Sequence, residues 1–536
     1  MSTSAKPMSW AAVKDTSEGA ALARELSIGP LSSSANIALL DAVHPYQWTD
    51  ASTEDVYDLV AIGSGAGGLV SAKQSARRGA RSAIISETLA GGDCLNFGCV
   101  PSKALLHCAK VYREAKNSHD WLVGAGNLTL DFGKVMERMR ELRAKIAPAD
   151  SHTATVGAGA DVYQGRGRFV GPHELEVNGK RLRFRKAVIA TGGRALIPDI
   201  EGLDTVPYLT NFSLFNLTEL PKSLLVVGAG AVGLEMAQAF ALFGSEVTVV
   251  CRSSVCGKES LRAGAAIQKA LEADGVKFRT DTKMIHVEQY EGQIQVHYQV
   301  GSERRARQVE ALLIATGRQP NVEDLGLETA GIKYSPTDGI LINDLAATSN
   351  PDVYAIGDCA ANGVEGGSPI PRFTHNSGEM AKLIVENALF RKTPEESWKV
   401  SSLIVPRCIY TEPEVAGVGL TRAEADTKGI KYDVYDCALA SNDRCILEGT
   451  DDNGGFVEIL CEAGTDTILG GTIVSAHAGE IINEVTLAVQ KKVGLAELAR
   501  VIHPYPTVAE GVMQAGLGFI RKSWAKMPEG GKRKRE

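Results

Sequence analysis

Cys94 and Cys99 stand five residues apart inside Gly91-Gly92-Asp93-Cys94-Leu95-Asn96-Phe97-Gly98-Cys99-Val100-Pro101-Ser102-Lys103. On one unbroken helix they would lie roughly 140° out of phase and could not pair. Gly98 permits a distorted turn that brings the sulfurs together, and Pro101 suits the first turn of a helix beginning beside Cys99. The N-terminus of that helix and the Lys103 ammonium both favour a thiolate. The chemistry this spacing points to is thiol–disulfide redox. Two other readings compete with it: a pair of buried structural thiols, or half of a zinc site. No second Cys or His pair stands at ligand spacing, which counts against zinc, and no resident metal is expected. The other cysteines stand alone in apolar contexts and read as small buried hydrophobes.

The elements around this motif read as nucleotide-binding units. Val56 to Ile62 is a buried-strand pattern that runs into Gly63-Ser64-Gly65-Ala66-Gly67-Gly68, followed by a helical stretch through Arg78. A second strand, Ser82 to Glu87, ends in an acid placed to hold a ribose hydroxyl. The pattern recurs: strand Ser223 to Val227, then Gly228-Ala229-Gly230-Ala231-Val232-Gly233, a helix through Phe243 and strand Glu246 to Val250. In each fingerprint the first glycine (Gly63, Gly228) makes the tight turn. The second (Gly65, Gly230) lets a pyrophosphate approach the backbone, and the third (Gly68, Gly233) permits close helix–strand packing. Each unit is followed later by a strand closing in Ala-Thr-Gly, at Thr191-Gly192 and at Thr316-Gly317. From about Ser401 the pattern changes to strands followed by a helix at Glu480 to Lys491, a separate α+β domain.

These motifs resemble the class I pyridine nucleotide-disulfide oxidoreductases, from about Val56 to about Arg521. The cysteine segment and Val353-Tyr354-Ala355-Ile356-Gly357-Asp358 are the most specific elements, and the resemblance is nearest to the mercuric reductase-like members. It implies an α/β fold with two Rossmann-like nucleotide-binding domains and a C-terminal α+β dimerisation domain. The expected boundaries are an N-terminal extension 1–55, an FAD-binding domain in two parts (56–204 and 319–398), an NAD(P)-binding domain 205–318, a dimerisation domain 399–522 and a basic tail 523–536. FAD is the implied cofactor, held by the first fingerprint, Glu87, Gly92, Asp93, Lys103, Thr191, Gly192 and Asp358, the last on the ribityl chain. Cys99 would carry the thiolate facing the flavin, and Cys94 would be the outer thiol that meets the substrate. Lys103 and Glu235 would pair near the flavin N5, where a cation stabilises negative charge on the reduced ring. A plain reading of Glu235 is a solvated helix acid. The resemblance also implies a homodimer with shared active sites, the segment Thr472 to Glu480 matching the family's interface strand and turn.

Two positions depart from the family's best-known members. NAD-specific relatives end the second strand of the nicotinamide unit in an acid; here Cys251 stands there, followed by Arg252 and then Lys258. Cations at this place accommodate a 2′-phosphate, so NADPH is expected over NADH, with Gly228, Gly230, Gly233 and Gly317 in the same site. The C-terminal signature is His503-Pro504-Tyr505-Pro506-Thr507-Val508-Ala509-Glu510. Relatives acting on thiol–disulfide substrates place a His where Tyr505 stands, with the Glu kept here as Glu510. A phenol, with a reference pKa of ~10, shuttles a thiol proton poorly at neutral pH. This variant looks like mercuric reductase, yet no cysteine precedes Cys94 and none follows Cys461. The soft thiolates with which that enzyme gathers Hg(II) at its two ends have no counterparts here.

The expected acceptor is a metal ion, a disulfide or a related small molecule. An NAD-dependent dihydrolipoamide dehydrogenase is the first rival, opposed by Tyr505, Cys251 and Arg252. A non-catalytic redox-sensing flavoprotein is the second, opposed by the intact motifs. Composition excludes other classes. Over 536 residues, 64 acidic and 57 basic side chains give a net charge of −7, against a nucleic-acid binder. No run of 18 apolar residues suggests a membrane span, and the N-terminus has no basic-then-apolar signal and carries Asp15, Glu18 and Glu25, unlike a signal or transit peptide, so a cytoplasmic location is expected. The tail Lys532 to Arg535 reads as a solvated end.

Overall fold

The computed structural model describes residues 8–52, 55–118, 128–362, 369–391, 393, 396–522 and 524; the basic tail read from the sequence lies outside them, save Trp524. The chain forms two compact units, Met1–Arg252 with Gly275–Leu403, and Ser253–Asp274 with Ile404–Glu536.

In the first unit, strand Tyr57–Ile62 lies between Ser82–Ser86 and Lys180–Ile189, with Asp161–Gln164 beyond the former and Val353–Ala355 beyond the latter. All these pairings are parallel, in the register Leu59↔Ser82 and Leu59↔Lys186, with Ala83↔Asp161 and Ala187↔Val353 outside them. Parallel sheets are covered on both faces, which is why Leu59, Val60 and Ala61 form a continuous apolar run with no exposed surface. A second parallel sheet has the order Lys277–Arg279, Glu246–Val250, Ser223–Val227, Ala311–Ile314. A three-stranded antiparallel sheet, Thr282–Tyr290, Gln293–Val300 and Glu303–Val309, inserts between its third and fourth strands in sequence.

The N-terminal extension is more ordered than its composition suggests. Trp10 to Leu26 reads in the sequence as one amphipathic helix; the structure has two, Trp10–Val13 and Ser17–Glu25, because the Thr16 side chain accepts from the Gly19 N–H and starts the second. A third helix, Ser34–Val43, follows. Trp10, Leu39, Leu40 and Val43 are fully buried in one cluster with Leu89, Ala90, Leu95 and Phe97, which flank and include the cysteine segment.

The second unit is a five-stranded antiparallel sheet ordered Arg407–Ile409, Glu414–Gly419, Ile468–Ser475, Phe456–Glu462, Tyr432–Ala438. Helices Ala478–Lys491 and Glu510–Lys522 bury Ile482, Val485, Val512 and Ala515 in its core. Helix Leu261–Ala273 packs in the same unit: the Arg262 guanidinium lies 3.9 Å from the Phe456 ring centroid, and Arg407 Nε meets Glu259 Oε1 at 2.8 Å just before it. The fold is α/β with two Rossmann-like sheets and a C-terminal α+β unit, as the sequence pattern implies. Among the described residues no helix is long and apolar enough to cross a membrane.

Candidate active site

The cysteine segment is two helices broken at one glycine. Gly92–Phe97 carries Cys94, and Cys99–Asn117 begins at Cys99. A Cβ on Gly98 would lie 2.9 Å from the Asp93 carbonyl oxygen, so only glycine lets the chain fold back this tightly. The buried Asn96 side chain pins the first helix by donating to the carbonyls of Ala90 (3.0 Å) and Gly92 (2.9 Å). The break sets the two thiols side by side, and their interaction favours the charge on Cys99 and the proton on Cys94. Cys99 is thereby lowered to about 6, through the Cys94 hydrogen bond first, then a hydrogen bond from Thr374 and the charge of Lys103, against the cost of burial. Cys94 is pushed up by the same hydrogen bond and by burial. One sulfur therefore holds the charge and the other the proton at neutral pH. Thr374 Oγ1 lies 3.5 Å from Cys99 Sγ and opens the helix Thr374–Val385. Nothing in the sequence around Thr374 announces that contact.

One turn beyond Cys99, Lys103 Nζ meets Glu235 Oε2 at 2.8 Å. Glu235 is only 3% exposed on helix Ala231–Phe243, so it is not the solvated helix acid of the plain reading. Asp93 and Asp358 are joined by a residue the sequence reading missed. Arg318 Nε donates to Asp358 Oδ2 at 2.6 Å, and Arg318 Nη2 donates both to Asp93 Oδ2 and to the Gly193 carbonyl (2.8 Å). Its position directly after Gly317 was the available signal. Thr191 donates to the Asn321 carbonyl at 2.6 Å, and Gly192, at φ +70°, takes the Asn321 N–H on its own carbonyl. Glu87 follows its strand and pairs at 3.3 Å with Arg166, both half-exposed.

The fingerprint glycines differ in what surrounds them. A Cβ on Gly63 would lie 2.4 Å from the Ala190 carbonyl oxygen, and one on Gly68 would lie 1.8 Å from that of Gly63. Gly228 and Gly233 repeat this, at 2.2 Å from the carbonyl oxygens of Ala315 and Gly228. The second glycines are open: Gly65 has only the Gly92 Cα, at 3.8 Å, and Gly230 has nothing within 4 Å. Each caps a helix whose first N–H groups are free to meet an anion. First and third glycines closed by packing, with the second open at a helix N-terminus, is the cradle that a dinucleotide pyrophosphate fits. Gly317, at φ +142°, follows the strand beside the second cradle. Cys251 is buried, and Arg252 and Lys258 are each exposed.

In the second unit, Tyr505 is 72% exposed and its hydroxyl donates to Asp443 Oδ2 at 2.6 Å. That hydrogen bond, and the Asp443 charge behind it, raise the phenol above its ordinary value. Asp443 was not singled out in the sequence. Glu510 opens helix Glu510–Lys522 and accepts from the Thr507 N–H at 3.2 Å. Both ring nitrogens of His503 have partners, Val501 O at 2.9 Å and Glu484 Oε2 at 3.2 Å.

Residues 57–381 match the family described as pyridine nucleotide-disulphide oxidoreductase, and residues 405–515 match the dimerisation domain of the same family. Mercuric reductase from Lysinibacillus sphaericus is 32% identical over 501 residues, 93% of this chain and 86% of that protein. Dihydrolipoyl dehydrogenase from Thermus scotoductus is 33% identical over 472 residues, 87% of this chain and 98% of its own length. The Cu(II) complex of the HOCl-induced flavoprotein disulfide reductase RclA from Escherichia coli has a similar structure, with a TM-score of 0.73 at 26% identity over 86% of this chain and 99% of that one. With the broken CxxxxC helix, two dinucleotide cradles and the dimerisation fold all present, the chain belongs to the pyridine nucleotide-disulphide oxidoreductases, FAD-dependent enzymes that use a nicotinamide nucleotide.

Proposed function

We propose that this chain is an NADPH-preferring flavoprotein that cycles Cys94–Cys99 between disulfide and dithiol, and that its acceptor is a metal ion or related small oxidant, in the manner of a mercuric reductase. The observation that carries the reading is the helix broken between Cys94 and Cys99, with Thr374 Oγ1 3.5 Å from Cys99 Sγ and the Lys103–Glu235 pair one turn beyond. Bound FAD would supply two-electron transfer between the nicotinamide and the disulfide. The first cradle, with Glu87, Asp93 and Asp358, would hold it. The chain's own residues keep Cys99 as thiolate, keep the proton on Cys94, and offer a fixed cation at Lys103 where negative charge develops. Each turnover would pass the two electrons and the transferred hydrogen of one NADPH to the disulfide, leaving the Cys99 thiolate and the Cys94 thiol. Two electrons passed to Hg(II) would then re-form the disulfide, with release of one proton and Hg(0).

The acceptor is argued from Tyr505. A leaving thiolate of a disulfide substrate needs a proton, and a phenol tied to Asp443 returns protons poorly near neutral pH. His503, anchored at both nitrogens, does not stand in for the missing imidazole. Metal-ion reduction has no such leaving group. A structurally similar flavoprotein disulfide reductase forms a Cu(II) complex, which supports a metal ion among the acceptors. Arg252 and Lys258, exposed after the strand Glu246–Val250, support NADPH over NADH. The dimerisation domain supports a homodimer.

The test is steady-state oxidation of NADPH and of NADH with Hg(II), glutathione disulfide, lipoamide and a quinone. We expect NADPH with Hg(II) or a quinone to dominate, and Arg252→Glu to remove much of the NADPH preference, since a charge-assisted contact contributes ~1.5–3 kcal/mol. Brisk lipoamide turnover with NADH would instead make this chain a dihydrolipoyl dehydrogenase. A lack of turnover with every acceptor would favour a sensor.

A further inference from the structure

We infer that Arg143 is a positioning residue for the Cys94–Cys99 pair, acting through the main chain between the two cysteines, and that the N-terminal helices hold it in place. This rests on the proposed use of that pair as the redox centre.

The break at Gly98 costs the helix Gly92–Phe97 its continuation, so its last carbonyls have no intrahelical partner. They carry the negative end of the helix dipole and lie next to the thiolate-bearing Cys99, where negative charge is least welcome. Two side chains from outside the segment cap them. Arg143 Nη1 donates to the Asn96 carbonyl at 2.8 Å, and Asn211 Nδ2 donates to the Phe97 carbonyl at 3.3 Å.

Arg143 is an unusual choice for this work. It sits on helix Phe132–Ile146 with no exposed surface, and among the described residues it has no carboxylate partner. Burial, and the nearby charge of Arg140, lower it only to about 10, so it is a cation at neutral pH. A buried charge held by carbonyl oxygens alone is expensive unless the site uses it. The other arm of the guanidinium shows what fixes its aim: Nη2 donates to Asn36 Oδ1 at 2.8 Å. Asn36 lies fully buried on the N-terminal helix Ser34–Val43 and is itself held by Nδ2 donating to the Pro30 carbonyl at 3.0 Å. The same helices pack Leu39, Leu40 and Val43 into one apolar cluster with Leu95 and Phe97. The extension ahead of the first nucleotide-binding strand is therefore a brace for the cysteine turn, with Arg143 as the strut. Without the strut, the Asn96 carbonyl loses its cap and the turn between the two cysteines slackens. That weakens the support of the thiolate.

The experiment uses the full-length FAD-bound protein, reduced with dithiothreitol, and reads the pH dependence of iodoacetamide labelling at Cys99 by peptide mass spectrometry. Wild type is expected to label through a midpoint near the value of about 6 set by its hydrogen bonds. Arg143→Met should move that midpoint up by about one pH unit or more, towards the ordinary thiol range. Arg143→Lys, which keeps the charge, should stay closer to wild type. Asn36→Ala, which loosens only the anchor, should fall between wild type and Arg143→Met, and it decides the matter if Arg143→Met does not fold. Thermal stability is measured alongside. Variants that melt earlier but keep the wild-type labelling profile would make Arg143 a packing residue and overturn the inference alone. A wild type whose Cys94 and Cys99 both label as ordinary thiols overturns the redox reading, and this inference with it.

Discussion

A phenol that already donates its proton to Asp443 offers a neighbouring thiol little acid–base help, because the carboxylate holds Tyr505 in its protonated form well past neutral pH. An imidazole at the same place would titrate within the working range. Tyr505→His should therefore raise turnover of glutathione disulfide, recovering part of the ~10²–10⁴-fold that a positioned acid–base group contributes. It should leave Hg(II) turnover within a few-fold. Paired kcat/KM measurements on the two acceptors at neutral pH check this. Equal changes on both acceptors, or fast wild-type turnover of glutathione disulfide, would remove Tyr505 from any role in choosing the acceptor. The contrast with Cys99 is instructive. There the neighbour donates rather than accepts, so the charged form is favoured, and the thiolate is present above about pH 6 and lost as pH falls below it.

At the scale of elements, the two fingerprints separate glycines needed for packing from glycines needed for binding. Gly233→Ala places a Cβ 2.2 Å from the Gly228 carbonyl oxygen and should destabilise the nicotinamide unit by ~1–3 kcal/mol, read as a lower Tm. Gly230→Ala meets nothing within 4 Å, so the Tm should hold while KM for NADPH rises. A Gly230→Ala variant with unchanged KM would mean that the nucleotide does not approach there. These strands, turns and glycines were legible in the sequence because their signals are local: a continuous apolar run, then a glycine turn, then a helix. The helix break at Gly98 was legible for the same reason. Arg318, Thr374 and Asp443 were not, because each acts on a partner 40 or more residues away that only the tertiary fold supplies. Glu235 was singled out by the family resemblance and not by any local signal, because its burial against Lys103 depends on packing between two helices. The N-terminal helices were legible only as one helix near Trp10 to Leu26, because short, Ser- and Ala-rich segments acquire their stability from packing rather than propensity.

For the whole molecule, the dimerisation domain exposes a set of apolar side chains among the described residues: Ile502 is 94% exposed, Leu447 73% and Leu487 57%. If the C-terminal segment completes the partner's site, a charge among them separates two half-reactions. Ile502→Asp with Leu487→Asp should yield monomers by sedimentation velocity and abolish acceptor turnover, while NADPH still opens the disulfide, since that step needs only one chain. A dimer that survives both charges, or a fully active monomer, would contradict the shared site. Beneath this lies the central claim that NADPH drives electrons into Cys94 and Cys99. The direct measurement is anaerobic thiol labelling of the FAD-bound protein with and without NADPH, mapped by peptide mass spectrometry. The account predicts that Cys94 and Cys99 are protected before NADPH and labelled after it, with no other cysteine changing. Labelling that is the same in both conditions, or that changes at a different cysteine, would contradict it.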